Sequence, residues 1–188
     1  KRTNIPIVLR VSSGNSILNE DLSNEKLCVS IEDAIRLNAS AVAFSIYIGG
    51  AYEHQTIVEF SKLVNDAHRY GIPVLAVTAV GKDMNRDLRY LSLASRIAVE
   101  LGADIVKTYY CDGFSELIAA CPVPVVIAGG KKVPELEALE FAYKAISDGA
   151  AGVDMGRNIF QSESPENMIQ AVRSVVVNSV EPKDAYEQ

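Results

Sequence analysis

Apolar residues along this chain gather into short unbroken runs, separated by stretches in which they recur every three or four positions. Six runs, at residues 5–11, 41–48, 72–80, 103–109, 123–128 and 151–155, are nearly continuous in Val, Ile, Ala and Leu. A strand with one wet face alternates apolar and polar residues; a strand covered on both faces does not. The runs therefore predict a parallel sheet buried under helices. The segments between them carry helical period and helical punctuation. Ser30 stands ahead of Glu32 and Asp33 as an N-cap with negative charge in the first turn, and Asp87 plays the same part for a helix over 88–101. Ile57, Phe60, Leu63, Val64 and Ala67 make one apolar face that stops at Gly71. Pro134 takes the predicted first position of a helix over 135–147, and Ser164, Pro165 and Glu166 open a last helix.

Each glycine stop (Gly71, Gly102, Gly149) is followed within a few residues by the next apolar run. The repeating unit is thus a strand with its covering helix, which defines an α/β fold. At 188 residues the chain reads as one domain, 1–188, of six βα units. Eight units close a (β/α)8 barrel of about 250 residues, whereas an open doubly wound sheet is complete with five or six. The pattern leaves both open. Because the chain starts at Lys1 and runs almost directly into an apolar run, about two further N-terminal βα units are expected to precede it.

Charge narrows the ligand classes. The chain carries 24 acidic against 18 basic residues, a net −6, with the basic residues scattered. Neither nucleic acid nor an anionic membrane is an expected partner, so an anionic ligand must be gripped by local geometry. Cys28, Cys111 and Cys121 lack metal-ligand spacing, and His54 and His68 are the only histidines; no metal site and a cytoplasmic protein with reduced thiols are expected.

In a parallel sheet, ligands sit at the carboxyl ends of the strands. Lys107 lies inside the fourth run. An amine held in an apolar strand loses water around its charged form, and the neutral amine is what attack on a carbonyl requires; a lysine whose head reaches the rim and stays charged is the plainer alternative. The fifth run ends in Gly129, Gly130, Lys131 and Lys132, and the sixth passes through Asp154 to Gly156 and Arg157. Paired glycines let backbone N–H groups approach an anion, and two such loops after consecutive strands predict a phosphate cradle. Asp154 is a candidate acid or hydrogen-bond partner. Weaker candidates are the Gly81, Lys82, Asp83 loop, Tyr47, Glu53, His54, Tyr109, Tyr110 and the thiol of Cys111.

The stretches IYIGGAYEHQ (46–55), VGKDMNRDLRYLSLASRIAVELGADIVKTYY (80–110), CPVPVVIAGGKK (121–132) and GAAGVDMGRNIFQS (149–162) resemble the class I aldolases of the archaeal-type fructose-bisphosphate and deoxyribose-phosphate aldolase superfamily. Within it they are most similar to a thiolase branch that degrades phosphorylated autoinducer-2. The resemblance covers essentially the whole chain. It implies a (β/α)8 TIM barrel in which this chain supplies the third to eighth strands, and a Schiff base formed by Lys107. It also implies a small phosphorylated ketone, 3-hydroxy-5-phosphonooxypentane-2,4-dione, whose acetyl group passes to coenzyme A as co-substrate, leaving dihydroxyacetone phosphate. Gly129, Gly130, Gly156 and Arg157 match the phosphate-holding positions, with Lys131 as a neighbour. Related sugar aldolases carry a proton-donating tyrosine on the strand before the lysine, where this chain is read as having Thr78. The family's first-strand Asp-His pair has no counterpart here. A homo-oligomer packed through outer helices is expected. An aldolase acting on fructose 1,6-bisphosphate or another sugar phosphate, and a non-catalytic phosphate-binding barrel, remain as alternatives.

Overall fold

The computed structural model describes residues 5–16, 18, 21–81 and 84–187. Among these, six parallel strands form one sheet in the order β1-β4-β5-β6-β7-β8: β1 Val8–Arg10, β4 Ala41–Ile48, β5 Val74–Val80, β6 Ile105–Thr108, β7 Val125–Ala128 and β8 Gly152–Asp154. Every neighbouring pair is parallel. A second, two-stranded antiparallel pair joins β2 (Ser12–Ser13) to β3 (Lys26–Leu27). The helices are α1 Ile31–Arg36, α2 Glu53–Arg69, α3 Leu88–Glu100, α4 Phe114–Ala120, α5 Glu135–Ser147, α6 Gly156–Phe160, α7 Pro165–Asn178 and α8 Pro182–Glu187.

Local signals and structure agree where a cap or an apolar face was present. Ser30 and Asp87 accept hydrogen bonds from the backbone N–H groups of Asp33 and Tyr90, as N-caps do. Pro165 occupies the first turn of α7. The face of α2 buries Phe60, Leu63, Val64 and Ala67 against the sheet, with the rings of Phe60 and Phe44 of β4 6.1 Å apart. Pro134 is one position earlier than read: with φ −52° and ψ 145° it is the N-cap of α5, its backbone still extended.

The first apolar run, read as a single strand, is split. After Arg10 the chain leaves the sheet: Val11 still donates to the Ala43 carbonyl, while its own carbonyl accepts from Cys28, and Ser12 pairs with Leu27. The hairpin carries Glu25 back over the sheet. The two outer strands, β1 and β8, each pair on one side only among the described residues, and they lack the two-sided burial of the central strands. Helices α4, α6 and α8 were not anticipated. Each has seven residues or fewer, too short to show a helical period. Helices α5, α7 and α8 share a second apolar cluster around Leu139, Met168 and Val175. No helix among the described residues is long and apolar enough to cross a membrane.

Candidate active site

Strand register places the site. Ser45, Val77, Lys107, Val126 and Gly152 form one row across β4 to β8. Side chains alternate along a strand, so these residues share the sheet's inner face, and positions two residues on, Tyr47, Ala79, Ala128 and Asp154, share it too. Arg10, opposite Ala43, is on the same face from β1. The sheet curls so that both outer strands reach one cavity of about 370 Å³, lined by Arg10, Ser45, Tyr47, Lys107, Tyr109, Gly129, Gly130, Asp154, Gly156 and Arg157, among others.

At its centre Lys107 points Nζ at Asp154 Oδ2, 2.7 Å away, with the lysine side chain 20% exposed. Among the described residues Asp154 is the only carboxylate lining the cavity, against three cations, Arg10, Lys107 and Arg157. The local balance is therefore positive in a chain that is negative overall, which suits a phosphorylated ligand. The expected phosphate residues Gly129, Gly130, Gly156 and Arg157 all line this cavity. Gly129 is required by packing, because a Cβ there would lie 2.8–2.9 Å from atoms of Met155. Gly130 has φ +66° with open space beside it, the left-handed backbone that glycine adopts without strain.

Asn158 was not foreseen as a site residue. It is buried; its Nδ2 donates to the carbonyls of Gly129 (2.8 Å) and Lys131 (3.3 Å), and its Oδ1 accepts from the Val133 backbone N–H (3.0 Å). One side chain on α6 thereby fixes the glycine loop that follows β7. Lys132 donates to the Gln161 carbonyl, a second tie between the same two loops. Lys131 lines a different, adjoining cavity of about 300 Å³, together with Arg86, Tyr109, Tyr110, Val133, Phe141 and Met155. Tyr109, Ala128, Gly129 and Gly130 border both cavities. The Arg86 guanidinium lies 4.0 Å over the Tyr109 ring.

Thr78 contributes to the cavity wall, but its hydroxyl donates to the Lys107 carbonyl (3.1 Å) and the residue is buried. The β5 residues on the inner face, Val77 and Ala79, have no proton to give. Tyr47 is in the wall, its hydroxyl donating to Glu25 (3.0 Å); burial and the nearby Glu25 carboxylate push its pKa up to about 12. It remains a neutral phenol at ordinary pH. Cys111 lies outside the cavity, and burial, with Asp112 and Asp87 nearby, raises its thiol pKa, so nothing activates it. Glu53 caps the Gly49 N–H, and His54 is exposed on α2. Lys82 and Asp83 lie outside the described residues. No group of three or more His, Cys, Asp or Glu among the described residues could hold a metal ion.

Apart from Tyr47, the wall formed by β1 and β4 also went unread in the sequence. Arg10 Nη2 donates to both oxygens of Glu25 (2.6 and 2.8 Å) and to Ser45 Oγ (2.5 Å), and its Nε donates to the Ser12 carbonyl (3.2 Å). Ser12 Oγ donates to Glu25 (2.6 Å) and accepts from the Ser45 backbone N–H (3.1 Å). The Glu25 side chain is 10% exposed. Burial alone would raise the Glu25 pKa, but the hydrogen bonds and charge of Arg10, with Ser12 and Tyr47, outweigh it and hold the carboxyl below its ordinary value. Burial likewise opposes the charge on Arg10, and Glu25 more than restores it.

Comparison with known proteins places this geometry. The chain is 60% identical over 186 residues to the 3-hydroxy-5-phosphonooxypentane-2,4-dione thiolase of Klebsiella pneumoniae subsp. pneumoniae, covering 98% of this chain and 63% of the relative. It is 61% identical to the protein of the same name from Photorhabdus laumondii subsp. laumondii, covering 98% and 64%. The chain thus spans a little under two thirds of the length of these relatives. An archaeal fructose 1,6-bisphosphate aldolase superposes with a TM-score of 0.86 at 29% identity, over 94% of this chain and 73% of that one. A second archaeal aldolase structure, with its catalytic lysine covalently bound to the carbinolamine intermediate of its substrate, gives 0.85 at 29% identity, over 92% and 71%. The curled sheet is accordingly part of an aldolase-type (β/α)8 barrel, as the resemblance implied. Residues 1–162 match the DeoC/LacD aldolase family, and the chain belongs to that family.

Proposed function

We propose that the protein is a Schiff-base thiolase that cleaves 3-hydroxy-5-phosphonooxypentane-2,4-dione, passing its acetyl group to coenzyme A and leaving dihydroxyacetone phosphate, in the breakdown of phosphorylated autoinducer-2. The observation that carries the reading is the Lys107 amine in a cationic cavity, 2.7 Å from Asp154 and beside the two glycine loops. Gly129, Gly130, Gly156 and Arg157 hold the phosphate. The Lys107 amine adds to the neighbouring ketone at C4, Asp154 relays the protons, and loss of water leaves an iminium. Addition of the coenzyme thiolate to the C2 carbonyl precedes cleavage of the C2–C3 bond, whose electrons pass into the iminium to form an enamine. Protonation at C3 and hydrolysis release dihydroxyacetone phosphate and free the lysine.

One feature supports thiolysis over aldol cleavage: the inner-face side chains of β5, Val77 and Ala79, cannot act as proton donor. The likeness to archaeal fructose 1,6-bisphosphate aldolases favours the second reading, a sugar-phosphate aldolase that needs no coenzyme A. The open edges of β1 and β8, and the greater length of the relatives, support further βα units closing the barrel between them. Exposed Ile169 and Val177 on α7 support a homo-oligomer; sedimentation as monomer alone would remove it. The deciding experiment is borohydride reduction in the presence of dihydroxyacetone phosphate, followed by peptide mass spectrometry. A reduced adduct on Lys107, absent from Lys107→Ala, is expected, together with dione-dependent release of acetyl-coenzyme A. No adduct on the folded full-length protein would sink both enzymatic readings; an adduct with turnover that ignores coenzyme A would select the aldolase.

A further inference from the structure

The cavity has two ends. The glycine loops after β7 and β8 form one, Lys107 on β6 stands between, and Arg10, Ser45 and Tyr47 of β1 and β4 form the other. Lys107 and Ser45 are two strands apart in one row, about 10 Å of sheet, a gap that the curl of the inner face shortens and a five-carbon chain spans. A substrate with its phosphate on the glycine loops and C4 on Lys107 directs its acetyl carbonyl at the Arg10 end.

The chemistry there suits a developing negative charge. The hydrogen bonds of Arg10 to Ser12, Glu25 and Ser45 run from Nε and Nη2, and the Tyr47 hydroxyl is a further partner of the guanidinium; among the described residues Nη1 is the nitrogen that Ser12, Glu25 and Ser45 do not engage, on a side chain that lines the cavity. Glu25, Ser12 and Ser45 hold the guanidinium in one orientation before any ligand arrives. Ser45 Oγ accepts from Arg10 and is also hydrogen-bonded to the Tyr47 phenol, which ties the three side chains together. A fixed donor at the oxygen where charge develops stabilises the transition state with little reorganisation, and removing one such donor lowers turnover by about 10²–10³-fold.

We infer, on the basis of the thiolase reading above, that Arg10 is a catalytic residue: its Nη1, oriented by Glu25, donates to the acetyl oxygen of the substrate and stabilises the oxyanion formed as the thiolate adds to C2. When the C2–C3 bond breaks, the oxyanion collapses to the thioester carbonyl and the hydrogen bond weakens, with no proton leaving Arg10. Glu25 is a positioning residue for it.

Dihydroxyacetone phosphate lacks the acetyl half, and this separates the inference from the role of Lys107. In full-length Arg10→Gln and Arg10→Lys proteins, kcat for acetyl-coenzyme A formation is expected to fall about a hundredfold with little change in KM for the dione. Borohydride trapping of dihydroxyacetone phosphate on Lys107 is expected to proceed at the unaltered rate, which also reports a folded site should a variant be less stable. Unchanged kcat in Arg10→Gln would overturn the inference. So would trapping that falls in step with turnover, which would make Arg10 a phosphate ligand or part of the scaffold. Absence of the adduct from the unaltered protein would remove the Schiff-base reading, and this inference with it.

Discussion

The two ends of the cavity are made of different materials. The end at β7 and β8 is largely backbone: Gly129, Gly130 and Gly156, with the loop after β7 held by the side chains of Asn158 and Lys132. The end at β1 and β4 is mostly side chain, an arginine and a carboxylate with two serines and a tyrosine around them, collected from the sheet and from a hairpin beside it. A backbone site depends on close approach and on dihedral angles. A side-chain site depends on charge balance, because each member is tolerable out of water only while its partners remain. The first should respond to added volume and the second to lost charge.

The largest effect is expected at the side-chain end. Glu25→Ala leaves the Arg10 guanidinium without its counter-charge and strands Ser12, and should cost about 3 kcal/mol in chemical denaturation, the low end for a broken buried pair because roughly half of Arg10 remains in water. The pH dependence sharpens this. Since the Glu25 pKa is held below its ordinary 4.5, its contribution is fully present above that pH and is lost as pH falls through the depressed value. The stability gap between the native protein and Glu25→Gln should therefore be widest near neutrality and narrow as pH falls below 4.5 through the depressed value; a gap that is constant with pH would show that charge plays no part.

Next comes Gly129→Ala, whose methyl meets Met155 at 2.8–2.9 Å and should cost about 2 kcal/mol through overpacking, with a higher KM for any phosphorylated ligand. Equal stability in a melting experiment would mean that the loop yields freely and is not a rigid cradle. The smallest stability change is expected for Arg157→Ala. Its side chain is exposed, so unfolding should move by no more than about 0.5 kcal/mol. Affinity for dihydroxyacetone phosphate should still fall about tenfold, as loss of a charge-assisted hydrogen bond implies. If binding is untouched, the backbone holds the phosphate alone.

This contrast also explains what could be read along the chain. The central strands and α2, α3, α5 and α7 were legible because each repeats its apolar signal over many residues, with a cap or glycine stop at its end. Lys107 stood out as a cation inside an apolar strand, and the two glycine loops as glycines next to cations. Arg10 and Glu25 gave no such signal. They are 15 residues apart, and their meeting depends on β1 ending at Arg10 and the β2–β3 hairpin turning back, a pairing only two residues long on each strand. Asn158 was similarly hidden, since α6 is too short to show a period. Thr78 was read for its place in the strand before the lysine. Strand alternation leaves Val77 and Ala79 on the inner face instead, and the Thr78 hydroxyl is committed to backbone.

That last hydrogen bond bears on how the reaction would move. With its carbonyl tied to Thr78 and its peptide in register with Val77 and Val126, Lys107 has a main chain that is anchored from both sides. Passage of the amine from Asp154 to a substrate carbon then falls to the four side-chain torsions alone, a fast rotameric swing on a stationary strand.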